Sequence, residues 1–222
     1  MKHWALIVAA LYFAILVILT FPVILLAFMP GVKLRQAAEA YSWWPYWLWL
    51  AVMVISQFTL LTVPVRVASR RPVTRGSVWR TVLATSLMAG GLAIGALLSL
   101  GEFVYADQFF NYAWQEWSIL ILALLTWCVW SLIFIRMSGN TPPADLVTRQ
   151  CRWLFKGSIL ELLIAVPAHI VARWRDYCCA GIWTFIGLTT GISVMLFAFG
   201  PAVLFLFMER WKRLHPAEQT GS

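Results

Sequence analysis

Charge is what this chain has least of. Asp, Glu, Lys and Arg make up 12% of it, about half the share usual for a soluble domain. So few ionised groups cannot build a water-covered surface over a chain that is 62% hydrophobic. Cysteine is scarce as well, with Cys128, Cys151, Cys178 and Cys179 only. Cys178 and Cys179 are adjacent, and consecutive α-carbons about 3.8 Å apart are too close for an unstrained disulfide. Cys128 falls within an apolar run and Cys151 beside basic residues, so a disulfide framework is not supported. Histidine occurs at 3, 169 and 215, and only His169 lies inside an apolar run, which excludes a haem held by two histidines of this chain. GxxxxGK[ST], HExxH, GxSxG and CxxC are all missing. With them go P-loop phosphate binding, zinc-protease chemistry, a serine-hydrolase elbow and thioredoxin-type redox chemistry.

What the chain has instead is long apolar runs. A bilayer crossing takes about 20 mostly apolar residues. Runs at 4–29, 43–65, 81–100, 117–135 and 180–208 approach or exceed that length without a charge. A further run, 153–172, reaches it only by including Lys156, Glu161 and His169. The first run follows Lys2 and His3 but is longer than a signal-peptide core and no A-x-A site follows, so it reads as a retained helix. The expectation is one all-α domain over 1–222, a bundle of six transmembrane helices, or five if 153–172 re-enters rather than crosses.

The net charge of +8 suggests nucleic acid until its placement is considered. Arg66, Arg70, Arg71, Arg75 and Arg80 lie between the second and third runs. Arg136, Arg149 and Arg152 lie between the fourth run and 153–172, Lys156 lies just inside the latter, and Arg210, Lys212 and Arg213 follow the last. The segment between the third and fourth runs holds Glu102, Asp107 and Glu116 with no Lys or Arg, and reads as an acidic loop. This alternation is the positive-inside pattern. It argues for the lipid bilayer as partner and against nucleic acid. It places the protein in a bacterial-type inner (plasma) membrane with both termini cytoplasmic. The longest loop is expected at Arg136–Arg152, around the turn-forming Gly139, Asn140, Pro142 and Pro143.

Aromatic residues cluster at Tyr41–Trp47, Phe109–Trp117 and Trp174–Trp183, as expected of interfacial belts. Gly91 with Gly95, and Gly187 with Gly191, are GxxxG pairs that let helix backbones approach in lipid, more simply inside the chain than at a dimer face. Pro22, Pro64 and Pro201 are candidate kinks.

Chemistry concentrates in Ser158–Cys179. Ionisable groups inside an apolar run are expensive and usually face a partner or a wet cavity. Glu161 fits a proton relay, a cation ligand or a general base, or else a structural carboxyl bonded to another helix. His169 fits a proton shuttle or metal ligand, or a ring bonded to a carbonyl. The two are eight residues apart, so about 80° around the helix and about 12 Å along it, too far to share one ion unaided. Arg173 and Arg175 run against the charge pattern and suit an anion, a lipid headgroup, or the acidic segment Glu102–Glu116. Cys178 and Cys179 near His169 suit a soft transition metal as cofactor, or thiol redox chemistry.

Three functions fit. The first expectation is a non-enzymatic accessory or assembly subunit of a membrane complex, with a membrane-protein partner or a second copy of itself. The second is a soft-metal or thiol-redox protein using Cys178, Cys179 and His169. The third is a small-solute or proton-coupled transporter with Glu161 at a cavity between the third, fifth and sixth spans. No nucleophile with an oriented base is present to support a named enzyme reaction.

Overall fold

Inside a bilayer each peptide group has to find its hydrogen-bond partner within the protein, which leaves only helices and closed barrels. The computed structural model describes residues 2–28, 44–68, 75–105, 115–139, 142–175 and 180–214, and among them every element is an α-helix. They are α1 (Lys2–Phe28), α2 (Trp44–Ala68), α3 (Arg75–Tyr105), α4 (Gln115–Ser138), α5 (Pro143–Arg173) and α6 (Ile182–Leu214). Five of them, α2 to α6, are long and apolar enough to cross a membrane. In α1, which is 27 residues long, the apolar stretch among described residues is Trp4–Leu19. The chain is therefore a multi-helix membrane protein.

Side-chain contacts fix the directions. Trp4 stacks on Phe207 and the Tyr12 hydroxyl donates to Ser193 O, so α1 runs against α6. Ser131 Oγ donates to Ser86 Oγ at 2.9 Å, while a methyl at Gly90 would meet Trp127, so α3 and α4 are antiparallel. Gly157 faces Leu92, Glu161 faces Gly95 and Arg175 reaches Glu102, so α3 and α5 run parallel. The helices alternate up and down, and one end of the bundle carries exposed Arg80, Arg136, Arg149, Arg152, Lys156, Arg210 and Arg213.

Burial separates centre from periphery. In the crossing stretch of α3, 56% of residues are buried inside the protein, against 44% in α6 and 6% in α4. The larger core joins Tyr12, Leu16, Leu60, Met88, Leu92, Phe134, Leu154 and Phe197 across all six helices, and a smaller one joins Ala5, Val8, Leu61 and Leu204.

Three expectations are corrected. The segment 153–172 is not a re-entrant loop: it lies within the continuous helix Pro143–Arg173, which passes through Pro167 and is apolar enough over Asp145–Arg173 to cross a membrane. Its start uses Pro143 in the first turn, where the missing N–H is not needed, and Asp145, whose charge suits the positive helix end. A long loop at 136–152 is thereby removed, and Cys151, Arg149 and Arg152 lie on α5. The third span, expected at 81–100, is a helix from Arg75 to Tyr105, so Glu102 is not in a loop: it lies in the last turns of α3 with no exposed surface.

Candidate functional site

The centre of the bundle is built by glycine. On α3 and α6 the two GxxxG pairs face each other within the chain. A methyl at Gly95 would come within 3.2 Å of the Gly187 Cα, and one at Gly187 within 2.8 Å of the Gly95 carbonyl. Neither position accepts a side chain without parting the helices. Ser99 sits in the same crossing and donates its hydroxyl to Gly95 O, one turn back, at 2.8 Å.

The third wall is α5, and it delivers Glu161. This carboxyl is 2% exposed and lies in a cradle of three glycines. A methyl at Gly95 would be 3.0 Å from Oε1, one at Gly187 would be 3.1 Å from it, and one at Gly191 would overlap Oε2. The space that the glycines leave open is the space the carboxyl fills. Neither oxygen has a hydrogen-bond partner among the described residues. Buried polar side-chain atoms are nearly always partnered, and an orphaned one points to a catalytic role, strain or an absent ion or water. One face of Glu161 also lines a cavity of about 190 Å³ between α3, α4 and α5, otherwise walled by Leu92, Ala93, Ala96, Trp130, Phe134 and neighbouring apolar residues.

A second cluster closes the other end of the same three helices. Glu102 accepts the Gly181 N–H through Oε1 and the Thr184 N–H through Oε2, each at 2.7 Å. These donors belong to the residue before α6 and to its first turn, so a carboxylate from α3 caps α6. Gly181 has φ 93°, a left-handed backbone that favours glycine, and a methyl there would crowd Arg173 Cδ at 3.0 Å. The Thr184 hydroxyl donates to Gly181 O at 3.1 Å and lies 3.0 Å from His169 Nδ1. Arg175 donates to Glu102 O at 3.1 Å and to Phe103 O at 2.7 Å, and its guanidinium stands 5.9 Å from the Phe103 ring centroid.

The sequence-derived candidates thus divide into two groups. Glu161 stands in the glycine cradle. His169 and Arg175 stand in the cap, where Arg175 reaches the carbonyl end of α3 rather than an acidic side chain. Arg173 is the last residue of α5 and its Cδ packs beside Gly181. Cys178 and Cys179 lie outside the described residues. No three His, Cys, Asp or Glu side chains converge among those described.

Composition alone did not point to three further polar residues. Gln57 is fully buried on α2 against Gly200, where a methyl would overlap Nε2, and neither side-chain polar atom has a partner. Gln150 on α5 is fully buried with the same deficit. Glu102 is the third. An amide inside an apolar run was the available signal for Gln57. Along α6, from its start to Gly200, polar neighbours follow one another: buried Glu102 and half-buried His169 at Thr184, Glu161 at Gly191, and Gln57 at Gly200. Successive sites are about 10 to 14 Å apart at ~1.5 Å per residue.

Compared with known proteins, the chain matches no family model, no curated protein and no solved structure.

Proposed function

We propose that this protein is a proton-coupled transporter of a small solute, with Glu161 as the group that takes up and releases the proton. The observation that carries the reading is the Glu161 carboxyl, buried in a glycine cradle at the crossing of α3, α5 and α6 with neither oxygen bonded by the described residues. A bare charge there would cost several kcal/mol, so the occupied state needs a positive partner. One carboxyl with no second acidic ligand among the described residues suits a proton better than a divalent metal, which takes several oxygen or nitrogen ligands. Glycine on two of the three walls lets helices shift past one another without a side chain to clear. The series of polar groups along α6 supplies steps between its start and Gly200.

The test is proton movement in proteoliposomes containing a pH-sensitive dye, with a panel of small amines, amino acids, sugars and organic acids added outside. The wild-type protein is expected to move protons on addition of at least one member. Glu161→Gln, which keeps the shape and removes the titrating proton, is expected to abolish that response while eluting as a folded protein. The same response in the variant overturns the assignment. So does a wild type that responds to no solute and whose Glu161 resists a hydrophobic carbodiimide at every pH.

The reading includes an inner (plasma) membrane location with both termini cytoplasmic, supported by the basic residues gathered at one end of the bundle. A second reading, an accessory subunit of a membrane complex, is favoured by one observation. The crossing stretch of α4 is only 6% buried and presents Ile121, Leu125, Val129 and Leu132 outward. Lipid covers such a face equally well, so the test is co-purification from native membranes: a stoichiometric partner lost on substituting those four residues by Ala supports it, and an unaccompanied chain counts against it. The soft-metal reading draws no support from the described geometry, since Cys178 and Cys179 lie outside the described residues and no three His, Cys, Asp or Glu converge among them.

A further inference from the structure

The apolar cavity beside Glu161 does not end in the membrane core. Its wall on α5 is Trp153, Leu154, Gly157, Leu160, Glu161 and Ile164, and its other walls are α3 and α4. Trp153, 54% exposed, also lines a second cavity of about 210 Å³ formed with Arg149, Arg152 and Lys156. These four residues recur at three- and four-residue spacing, so they share one face of α5. Trp153 is common to both linings, so along α5 the basic cavity, toward the end where the other exposed arginines gather, adjoins the apolar one inward of it. All three cations are exposed, and none has an ion-pair partner among the described residues. Asp145, one turn before Arg149, is not bridged to it.

A groove with a cationic mouth and an apolar floor fits an amphiphile with an anionic head. From Trp153 to Ile164 it follows about 16 Å of helix at ~1.5 Å per residue. One leaflet of hydrocarbon is about 15 Å thick, half of a ~30 Å core. A partner helix, about 10 Å across, is too wide for a cavity of about 190 Å³. A zwitterionic lipid brings no net negative charge to the three cations, whereas an anionic one does. Lys and Arg clustered on a helix at the cytoplasmic surface attract anionic headgroups.

We propose that this groove holds an anionic phospholipid, its phosphate between Arg149, Arg152 and Lys156 and one acyl chain along α5 from Trp153 to Ile164. The lipid then forms part of the wall beside Glu161, although the site stands whether or not Glu161 moves protons. Gly157 keeps the groove open, because a methyl there would already come within 3.2 Å of Leu92 Cδ1.

The experiment is native mass spectrometry of the whole protein released from nanodiscs holding equal phosphatidylglycerol and phosphatidylcholine, with titration to obtain apparent affinities. The wild type is expected to retain phosphatidylglycerol selectively. The triple variant Arg149→Gln, Arg152→Gln, Lys156→Gln alters only exposed side chains. It is expected to bind roughly a hundred-fold more weakly, at about five-fold per cation from ~1 kcal/mol each. Ala93→Phe, which fills the groove and leaves the cations in place, is expected to lose the retained lipid as well. Equal retention of both lipids, an unchanged triple variant, or full retention by a folded Ala93→Phe overturns the proposal. Displacement of phosphatidylglycerol by millimolar inorganic phosphate also overturns it, since the site would then be one for a free anion.

Discussion

At the scale of single residues, the informative contrast is between two buried carboxyls. Glu102 is fully buried and has both oxygens bonded to the start of α6. Glu161 is equally hidden and has neither bonded by the described residues. A satisfied carboxyl holds structure together, whereas an unsatisfied one costs stability and persists for another reason. Replacing Glu161 by Leu, of similar volume, is therefore expected to stabilise the protein by about 1–3 kcal/mol. Thermal unfolding in detergent would show it as a raised midpoint. A lowered midpoint would mean that the carboxyl supports the fold, and the proton-carrier role would lose its main argument. Glu161 was legible in the sequence because a lone acid in an apolar run stands out. Its glycine cradle was visible only as two GxxxG pairs, with nothing to say that they enclose a third helix. Glu102 was misplaced because an acid near the end of an apolar run followed by Asp107 and Glu116 looks like a loop. What fixes it is the pair of donors that α6 presents from about 80 residues away, and no local pattern carries that.

At the scale of helices, the apolar runs located every element, since their length is set by bilayer thickness. The ends were less legible, because hydrogen bonding continues past the hydrocarbon wherever packing supports it. α3 begins at Arg75, ahead of the apolar run at 81, and α5 at Pro143, ahead of 153. Pro143 and Asp145 were a readable helix start, and the prolines were taken for a turn instead. The glycine face of α6 is where an element-level change is sharpest. Gly187→Ala places a methyl against the Gly95 carbonyl and Ser99, so α3 and α6 have to separate. The expected cost is about 1–3 kcal/mol, the usual range for overpacking. Gly76→Ala, at the exposed start of α3 with nothing within 4 Å of the added methyl, is the matched control and is expected to lie within about 0.5 kcal/mol of wild type. Comparing the two midpoints in one detergent checks the argument. Equal values would mean that the α3–α6 crossing tolerates side chains, and that the cradle is not held shut by backbone contact.

At the scale of the whole molecule, charge and topology have to agree, and the apparent exceptions decide whether they do. Arg173 and Arg175 lie at the end opposite the basic cluster, against the positive-inside trend. Arg175, however, donates both of its bonds to carbonyls in the last turns of α3, where the negative pole of the helix dipole calls for a cation. It serves packing and so does not count against the orientation set by exposed Arg80, Arg136, Arg149, Arg152 and Lys156. With the basic end cytoplasmic, α4 runs inward, from its start outside to its end inside. Single cysteines on a background with Cys128, Cys151, Cys178 and Cys179 changed to Ser test this directly. Tyr105→Cys, at the exposed end of α3, is expected to react with an impermeant maleimide added to intact cells. Gly139→Cys, at the exposed end of α4, is expected to react only after permeabilisation. The reverse pattern would invert the protein and put the Arg149–Lys156 groove in the outer leaflet, where the positive-inside force no longer explains its charge. Labelling of both from the same side would mean that α4, the least buried helix, does not cross. The alternation of six helices that brings α3, α5 and α6 around Glu161 would then have to be redrawn.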